Sequence, residues 1–121
     1  MRPEKLYLRD IISACKQANL YVCDIERTDF EKSSLHQSAV LFNLMIIGEA
    51  ASKITPELKG RHPEVDWQSL KGFRNIITHA YFSLNLDIVW DSANRESLEL
   101  IDQIEAIVRL EYPDLPLTTE N

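Results

Sequence analysis

Apolar residues recur every three or four positions along most of the chain, which is the period of an amphipathic α-helix. The first periodic segment runs from about Glu4 to Ile25. Its stripe consists of Leu8, Ile11, Ile12, Cys15, Ala18, Val22 and Ile25. A polar break at Arg27-Thr28-Asp29 follows. The pattern therefore predicts a long first helix that ends before this break.

A second helix is predicted from about Glu31 to Lys53, with Asp29 or Ser33 as its N-cap. Its middle is apolar around nearly the whole circumference, through Val40, Leu41, Phe42, Leu44, Met45, Ile46 and Ile47. Such a helix is buried on more than one side. Either it contacts both its own domain and another chain, or it is the central helix of a single bundle.

Two further helices are predicted before residue 83. Thr55 and Pro56 open a short one, as cap and first helical residue. The third long helix spans about Asp66 to Phe82 and is capped by Asp66. Gly72 lies inside it, where glycine costs about 1 kcal/mol relative to alanine. We therefore expect a close backbone approach at Gly72.

A fourth long helix is predicted from about Asp87 to Leu110. Its inner stripe comprises Leu98, Ile101, Ile104 and Val108. Residues 111–121 are expected to form a frayed C-terminal tail, since two prolines follow the helix. No strand pattern is evident. The prediction is an all-α antiparallel bundle of four main helices and a short one, in a single domain over residues 1–110.

Length and composition fit one soluble domain. The chain has 121 residues, 45% hydrophobic and only three glycines. Cys15 and Cys23 would lie about 12 Å apart on one helix, too far for a disulfide. They are read as reduced core residues of a cytoplasmic protein. No signal peptide, membrane span or metal-ligand spacing is evident, so no membrane association and no cofactor are expected.

The charge distribution is uneven. The net charge is −6, which disfavours a non-specific nucleic-acid coater. Between Lys53 and Arg74, however, the sequence has five basic and three acidic residues, which gives a local net charge of +2. A small positive region on an acidic body fits contact with a few phosphates; chance clustering is the alternative.

The segment Arg74-Asn75-Ile76-Ile77-Thr78-His79-Ala80-Tyr81 concentrates reactive side chains in apolar sequence. Arg74 suits phosphate binding and transition-state stabilisation, and His79 suits proton abstraction from a ribose 2′-hydroxyl. Asn75 could orient a phosphate or a ribose hydroxyl. Tyr81 could stack on a base or bind a phosphate oxygen. This chemistry would need no metal and indicates RNA cleavage.

Helix geometry limits how these residues can meet. Arg74 and Tyr81, seven apart, share one face of a helix. Arg74 and His79, five apart, are about 140° around the axis and about 7.5 Å along it. Either the helix unwinds near His79, or two copies of the segment face each other across a two-fold axis.

Structural roles remain alternatives for each residue. His79 could be a hydrogen-bonded core residue, Arg74 a surface ion pair, and Tyr81 packing. Glu49, on the apolar second helix, needs a partner: Arg74 or His79, or else Lys53 four residues on. Lys71 could contact a phosphate or simply be solvated. His36 and His62 are assigned no role.

Several blocks resemble one family. They are Ile47-Gly48-Glu49-Ala50, Pro63 to Trp67, Leu70 to Asn75, His79-Ala80-Tyr81 and Asp87 to Trp90. With the motif R-x₄-H-x-Y, they resemble the HEPN superfamily, in particular the HepT-like toxins, over about Leu6 to Val108. The resemblance implies a homodimeric HEPN bundle with its active cleft at the two-fold axis.

The resemblance also implies a function. A HepT-like protein would be a metal-independent endoribonuclease toxin of a type VII-like HEPN–MNT toxin–antitoxin system, with Arg74 and His79 catalytic. Its partner would be an MNT nucleotidyltransferase antitoxin that neutralises it by AMPylation of Tyr81, so that it becomes a phosphoprotein. The alternative is a non-catalytic HEPN module that binds nucleotides or holds a partner nucleotidyltransferase.

Overall fold

A computed structural model describes the backbone of residues 2–79 and 85–117, with side chains for 2–74 and 85–117. These residues form helices joined by turns, with no strand among them. In chain order the helices are α1 (Glu4–Leu20), α2 (Arg27–Glu31), α3 (Ser34–Ser52), α4 (Pro56–Arg61), α5 (Trp67–His79), α6 (Leu86–Asp91), a π-helical turn (Ser92–Glu96) and α7 (Ser97–Glu111). The predicted all-α class agrees with this arrangement.

Helix α1 packs against α3 and α7, and its predicted stripe is buried from Leu8 to Ala18. The helix ends five residues earlier than predicted, because the carbonyl of Asn19 accepts from the backbone N–H groups of Val22 and Cys23 in a turn. Cys23 is exposed, so its assignment to the core is wrong. Cys15 is buried, and burial raises the pKa of its thiol to about 12.

The predicted polar break at residues 27–29 is wrong, because these residues begin the short helix α2. Phe30 fixes this helix: it is fully buried, and its ring centroid lies 5.3 Å from that of Trp90. Helix α3 then starts with Ser33 as its cap, whose hydroxyl accepts from the backbone N–H of His36. Ser33, rather than Asp29, is therefore the N-cap.

Helix α3 lies between α1 and α5 and buries residues on several sides, among them Val40, Leu44 and Ile47. Leu35 and Phe42 nevertheless stay exposed, at 76% and 59%. The two residues are seven apart and so share one face of the helix. Helix α3 is thus central to the bundle and still presents apolar surface to solvent.

The caps predicted for the next two helices are present. The Thr55 hydroxyl accepts from the backbone N–H of Leu58, with Pro56 as the first residue of α4. The Asp66 carboxylate accepts from the backbone N–H and hydroxyl of Ser69 at the start of α5. Helix α5 packs mainly on α3. The part predicted beyond His79, up to Phe82, lies outside the described residues.

The fourth predicted helix is present but differs in its start and its buried face. It starts at Leu86 and is capped by Asn85, whose side chain accepts from the backbone N–H groups of Asp87 and Ile88. The π-helical turn separates α6 from α7, and Ser97 takes the inward position by donating to the carbonyl of Ala93. Leu98 is therefore 49% exposed, and its assignment to the inner stripe is wrong.

A polar cluster joins the end of α7 to α4. Both Arg61 and the buried His62 contact the Glu111 carboxylate, at 2.9 Å and 2.6 Å. Next to it, the Tyr112 hydroxyl donates to Glu4 at the start of α1. Leu115 and Leu117 pack against the core. The described part of the predicted tail is therefore tied to the bundle, and residues 118–121 lie outside the described residues.

Candidate active site

Helices α3 and α5 approach most closely at Gly48. A Cβ atom on Gly48 would lie 2.9 Å from the backbone nitrogen of Arg74 and 3.0 Å from the carbonyl oxygen of Leu70. Cβ atoms essentially never make contacts under 3.0 Å, so any side chain at position 48 would force the two backbones to shift. The contact brings the backbone of Arg74 directly against α3.

The close approach predicted at Gly72 is wrong, because a Cβ atom there would meet nothing within 4 Å. Leu70 and Arg74 are one helical turn apart and face α3. Gly72 lies between them in sequence and is therefore about 200° around the helix from both. The glycine that permits close packing is on α3 and not on the motif helix.

The next residue of α3, Glu49, contacts the side chain of Arg74. Its Oε1 lies 3.1 Å from Nε of Arg74. About half of each side chain is exposed, 47% for Glu49 and 51% for Arg74. An ion pair this exposed adds little stability, at most about 1 kcal/mol. Its main effect is on direction, because the carboxylate restricts the orientation of the guanidinium. Of the three partners that the sequence allowed for Glu49, the structure shows Arg74.

Arg74 and Glu49 lie at the edge of an open groove of about 540 Å³ between α1 and α3. The other lining residues are Arg2, Tyr7 and Asp10 of the N-terminal region and Met45, Ile46 and Ala50 of α3. The lining is mostly apolar in area, with the charged groups around it. A groove of this size falls within the range of small-molecule sites, about 300–1,000 Å³.

The other motif residues follow Arg74 along α5. Asn75 and His79 belong to this helix, whose backbone is α-helical from Trp67 to His79. Their side chains, and all of Tyr81, lie outside the described residues. In a regular helix, positions 74 and 79 point about 140° apart. The backbone of α5 is thus not unwound between Arg74 and His79. Of the two alternatives from the sequence, unwinding before His79 does not occur.

Lys71 is exposed on α5, one turn before Arg74. Burial first, and the charge of Lys71 second, lower the pKa of Lys59 on α4. Lys59 and Lys71 therefore lie close enough for their charges to interact. Arg61 of the same basic region is paired with Glu111.

Sequence reasoning missed Arg2, Tyr7 and Asp10 as site residues. The Arg2 guanidinium lies over the Tyr7 ring, 4.8 Å from its centroid, and pairs with both oxygens of Asp10. No motif marks these residues, since Tyr7 and Asp10 look like the polar flank of an amphipathic helix. Gly48 gave no distinguishing signal, because Gly72 also lies inside a helix and yet has open space around it.

Comparison with known proteins places the chain in a family. Residues 11–107 match the family described as Ribonuclease HepT-like. A relative from Caldanaerobacter subterraneus subsp. tengcongensis, provisionally named an RNase, is 32% identical over 92% of this chain and 99% of its own. One from Thermococcus cleftensis, provisionally named ribonuclease HepT, is 31% identical over 88% and 96%. No solved structure was found to match. The chain belongs to the HepT-like ribonuclease family.

Proposed function

We propose that this protein is a metal-independent endoribonuclease and acts as a toxin. One observation carries the proposal: Arg74, the first residue of R-N-x₃-H-x-Y, is directed by Glu49 at the edge of a groove between α1 and α3. An arginine held in this way and half exposed is suited to bind a phosphodiester. The names of the relatives, which refer to RNA cleavage, support the same class of reaction.

The proposed reaction is a transesterification within RNA. His79 takes the proton of a ribose 2′-hydroxyl, and the 2′-oxygen forms a bond to the neighbouring phosphorus. The bond from phosphorus to the 5′-oxygen breaks, and this leaving oxygen accepts a proton from water, so that the products are a 2′,3′-cyclic phosphate and a 5′-hydroxyl. Arg74 stabilises the charge that develops on the phosphate oxygens, and Asn75, Lys71 and Tyr81 contact the RNA.

We further propose a homodimer with the active cleft at its two-fold axis. Helix geometry separates Arg74 from His79 within one chain, and a second copy can supply the missing group. Leu35 and Phe42, exposed on one face of α3, provide apolar surface for such a contact. Glu49 follows Phe42 by seven residues on the same face, so a contact between two α3 helices would bring both Arg74–Glu49 pairs near the axis.

The proposed partner is an MNT nucleotidyltransferase antitoxin. It would transfer AMP from ATP to the hydroxyl oxygen of Tyr81 and release pyrophosphate. The adduct would carry negative charge two residues from His79 and would repel RNA. This step predicts a mass increase of one or more AMP units on Tyr81 after co-expression with the antitoxin. An unmodified Tyr81 in an inhibited complex would show that the antitoxin acts by occlusion.

Incubation of the purified protein with total RNA in EDTA tests the activity. We expect cleavage by the wild type and its loss in Arg74→Ala and His79→Ala. Arg74→Lys keeps the charge but not the planar fork, and a loss of about 100-fold is expected. His36→Ala is the matched control, because His36 lies at the other end of α3 and contacts Ser33.

Thermal melts of every variant separate loss of activity from loss of fold. Absence of cleavage by the folded wild type, or equal cleavage by His79→Ala, would contradict the enzyme proposal. It would favour a non-catalytic nucleotide-binding or interaction module.

A further inference from the structure

The groove beside Arg74 continues beyond the residues that the cleavage reaction needs. Its far side is formed by Arg2, Tyr7 and Asp10, which belong to or precede the first turns of α1. None of these residues has a part in the proposed reaction. The arrangement of an aromatic ring, a guanidinium plane and an apolar floor is the chemistry that binds nucleobases.

We infer that this groove is a nucleobase subsite, which holds the base next to the phosphodiester bound by Arg74. This inference rests on the proposed RNA cleavage and names how the substrate is held. In it the base lies over Met45 and Ile46 and stacks on the surface made by Tyr7 and Arg2.

The charges of the groove favour a base over a phosphate. Two guanidinium groups, of Arg2 and Arg74, are matched by two carboxylates, of Asp10 and Glu49. The lining is therefore neutral overall and would not attract a second phosphate strongly. A nucleobase is neutral, planar and largely apolar on its faces, so it matches an apolar floor bordered by paired charges.

Contacts within the chain position the stacking surface. One face of the Arg2 guanidinium lies against the Tyr7 ring, and its N–H groups donate to both carboxylate oxygens of Asp10. These contacts raise the pKa of the Arg2 guanidinium, chiefly through the hydrogen bond to Asp10. Guanidinium planes stack well on bases, and ordering the side chain beforehand reduces the entropy lost on binding.

The groove also has a continuation along α1 and α3. A smaller cavity of about 170 Å³ shares Asp10 and Ile46 with it and extends to Ser13, Gln17 and Asn43. These side chains can donate and accept hydrogen bonds. The RNA strand would accordingly run from Arg74 along the α1–α3 groove toward Gln17.

A cycle of substrate and protein changes tests the subsite. Once cleaved positions are mapped, oligonucleotides are made with an abasic ribose on the 5′ or the 3′ side of the cleaved bond. We expect wild-type protein to cleave one of the two at least about tenfold more slowly than the intact oligonucleotide. Tyr7→Leu, which keeps apolar bulk but loses the ring, should cleave intact and abasic substrates at similarly low rates, and Tyr7→Phe should behave as wild type.

Charge controls come from the same end of the chain. Arg2→Ala should lower the rate on intact RNA and abolish the penalty for the abasic substrate. Lys5→Ala removes an exposed cation that does not line the groove and should change neither. Additive effects of base removal and Tyr7→Leu, or wild-type cleavage by folded Tyr7→Leu and Arg2→Ala, would overturn the subsite.

Failure of the subsite and failure of RNA cleavage give different results. If wild-type protein cleaves no RNA, the proposed activity fails, and titration with the four nucleoside 5′-monophosphates followed by amide NMR decides the subsite alone. Shifts at Tyr7, Asp10 and Ile46 that are lost in Tyr7→Leu would support it. Absence of these shifts would overturn it.

Discussion

At the scale of single residues, the candidate site depends on a glycine, Gly48, which has no Cβ atom. Gly48 lets α5 come so close that Arg74 reaches Glu49, the neighbour of Gly48 on α3. The ion pair itself is half exposed and contributes little to stability. The position of Arg74 relative to Glu49 is therefore set by the contact between the two helix backbones. Even a small substitution at Gly48 should displace this pair.

Gly48→Ala should destabilise the fold by about 1–3 kcal/mol, because the new methyl group would collide with backbone atoms of α5. Gly72→Ala is the matched control: it lies inside α5 with nothing within 4 Å and should stabilise by up to about 1 kcal/mol. Urea denaturation at one protein concentration measures both. Equal effects of the two substitutions would contradict the close contact at Gly48.

At the scale of elements, the polar cluster around Glu111 fastens the last helix to α4. Arg61 donates to both carboxylate oxygens, and His62, which is buried, lies 2.6 Å from Oε2. Hydrogen bonds from Arg61 first, and from His62 second, lower the pKa of Glu111 to about 2. The contact therefore depends on an ionised carboxylate and should be sensitive to acid.

The pH dependence of unfolding tests this cluster. Because the folded-state pKa of Glu111 lies near 2, below the usual value of 4.5, its contribution is complete above about pH 4.5 and is lost as the pH falls toward 2. Glu111→Gln should lower stability at pH 6 and flatten the acid limb of the curve. Glu57→Gln, at an exposed position of α4, should leave that limb unchanged, and a wild-type slope in Glu111→Gln would refute the assignment.

At the scale of the whole molecule, the described part of the chain has an exposed apolar surface on α3. Leu35 and Phe42 are exposed on α3, although this helix is otherwise the centre of the bundle. Their position on the same face as Glu49 links this surface to the candidate site. Assembly and activity should therefore depend on each other.

No helix among the described residues has the length and apolar character to span a bilayer.

If two α3 helices form the proposed dimer contact, Phe42→Asp should yield a monomer and abolish RNA cleavage, because a charge would be buried between the subunits. Leu110→Asp changes another exposed apolar residue, at the end of α7, and should affect neither property. Light scattering gives the mass and RNA cleavage the activity. A dimeric and active Phe42→Asp protein would rule out α3 as the contact surface.

Mixed dimers test whether one site uses residues of both chains. If Arg74 of one subunit works with His79 of the other, a dimer of Arg74→Ala and His79→Ala subunits retains one intact site. Random exchange should then restore roughly a quarter of wild-type activity from two inactive proteins. If both residues act within one chain, every mixed dimer lacks an intact site, and activity should stay absent.

The sequence alone determined the helical class, most helix positions and the motif on α5, because hydrophobic period, caps and residue chemistry are local properties. It did not predict α2, the inward Ser97 or the glycine that allows close packing, since these depend on which helix faces which. Only the tertiary structure decided that Arg74 lies against Glu49, that Arg61 is taken up by Glu111, and that Arg2, Tyr7 and Asp10 border the same groove. Contacts between residues distant in sequence are set by how the helices pack, and no spacing along the chain records them.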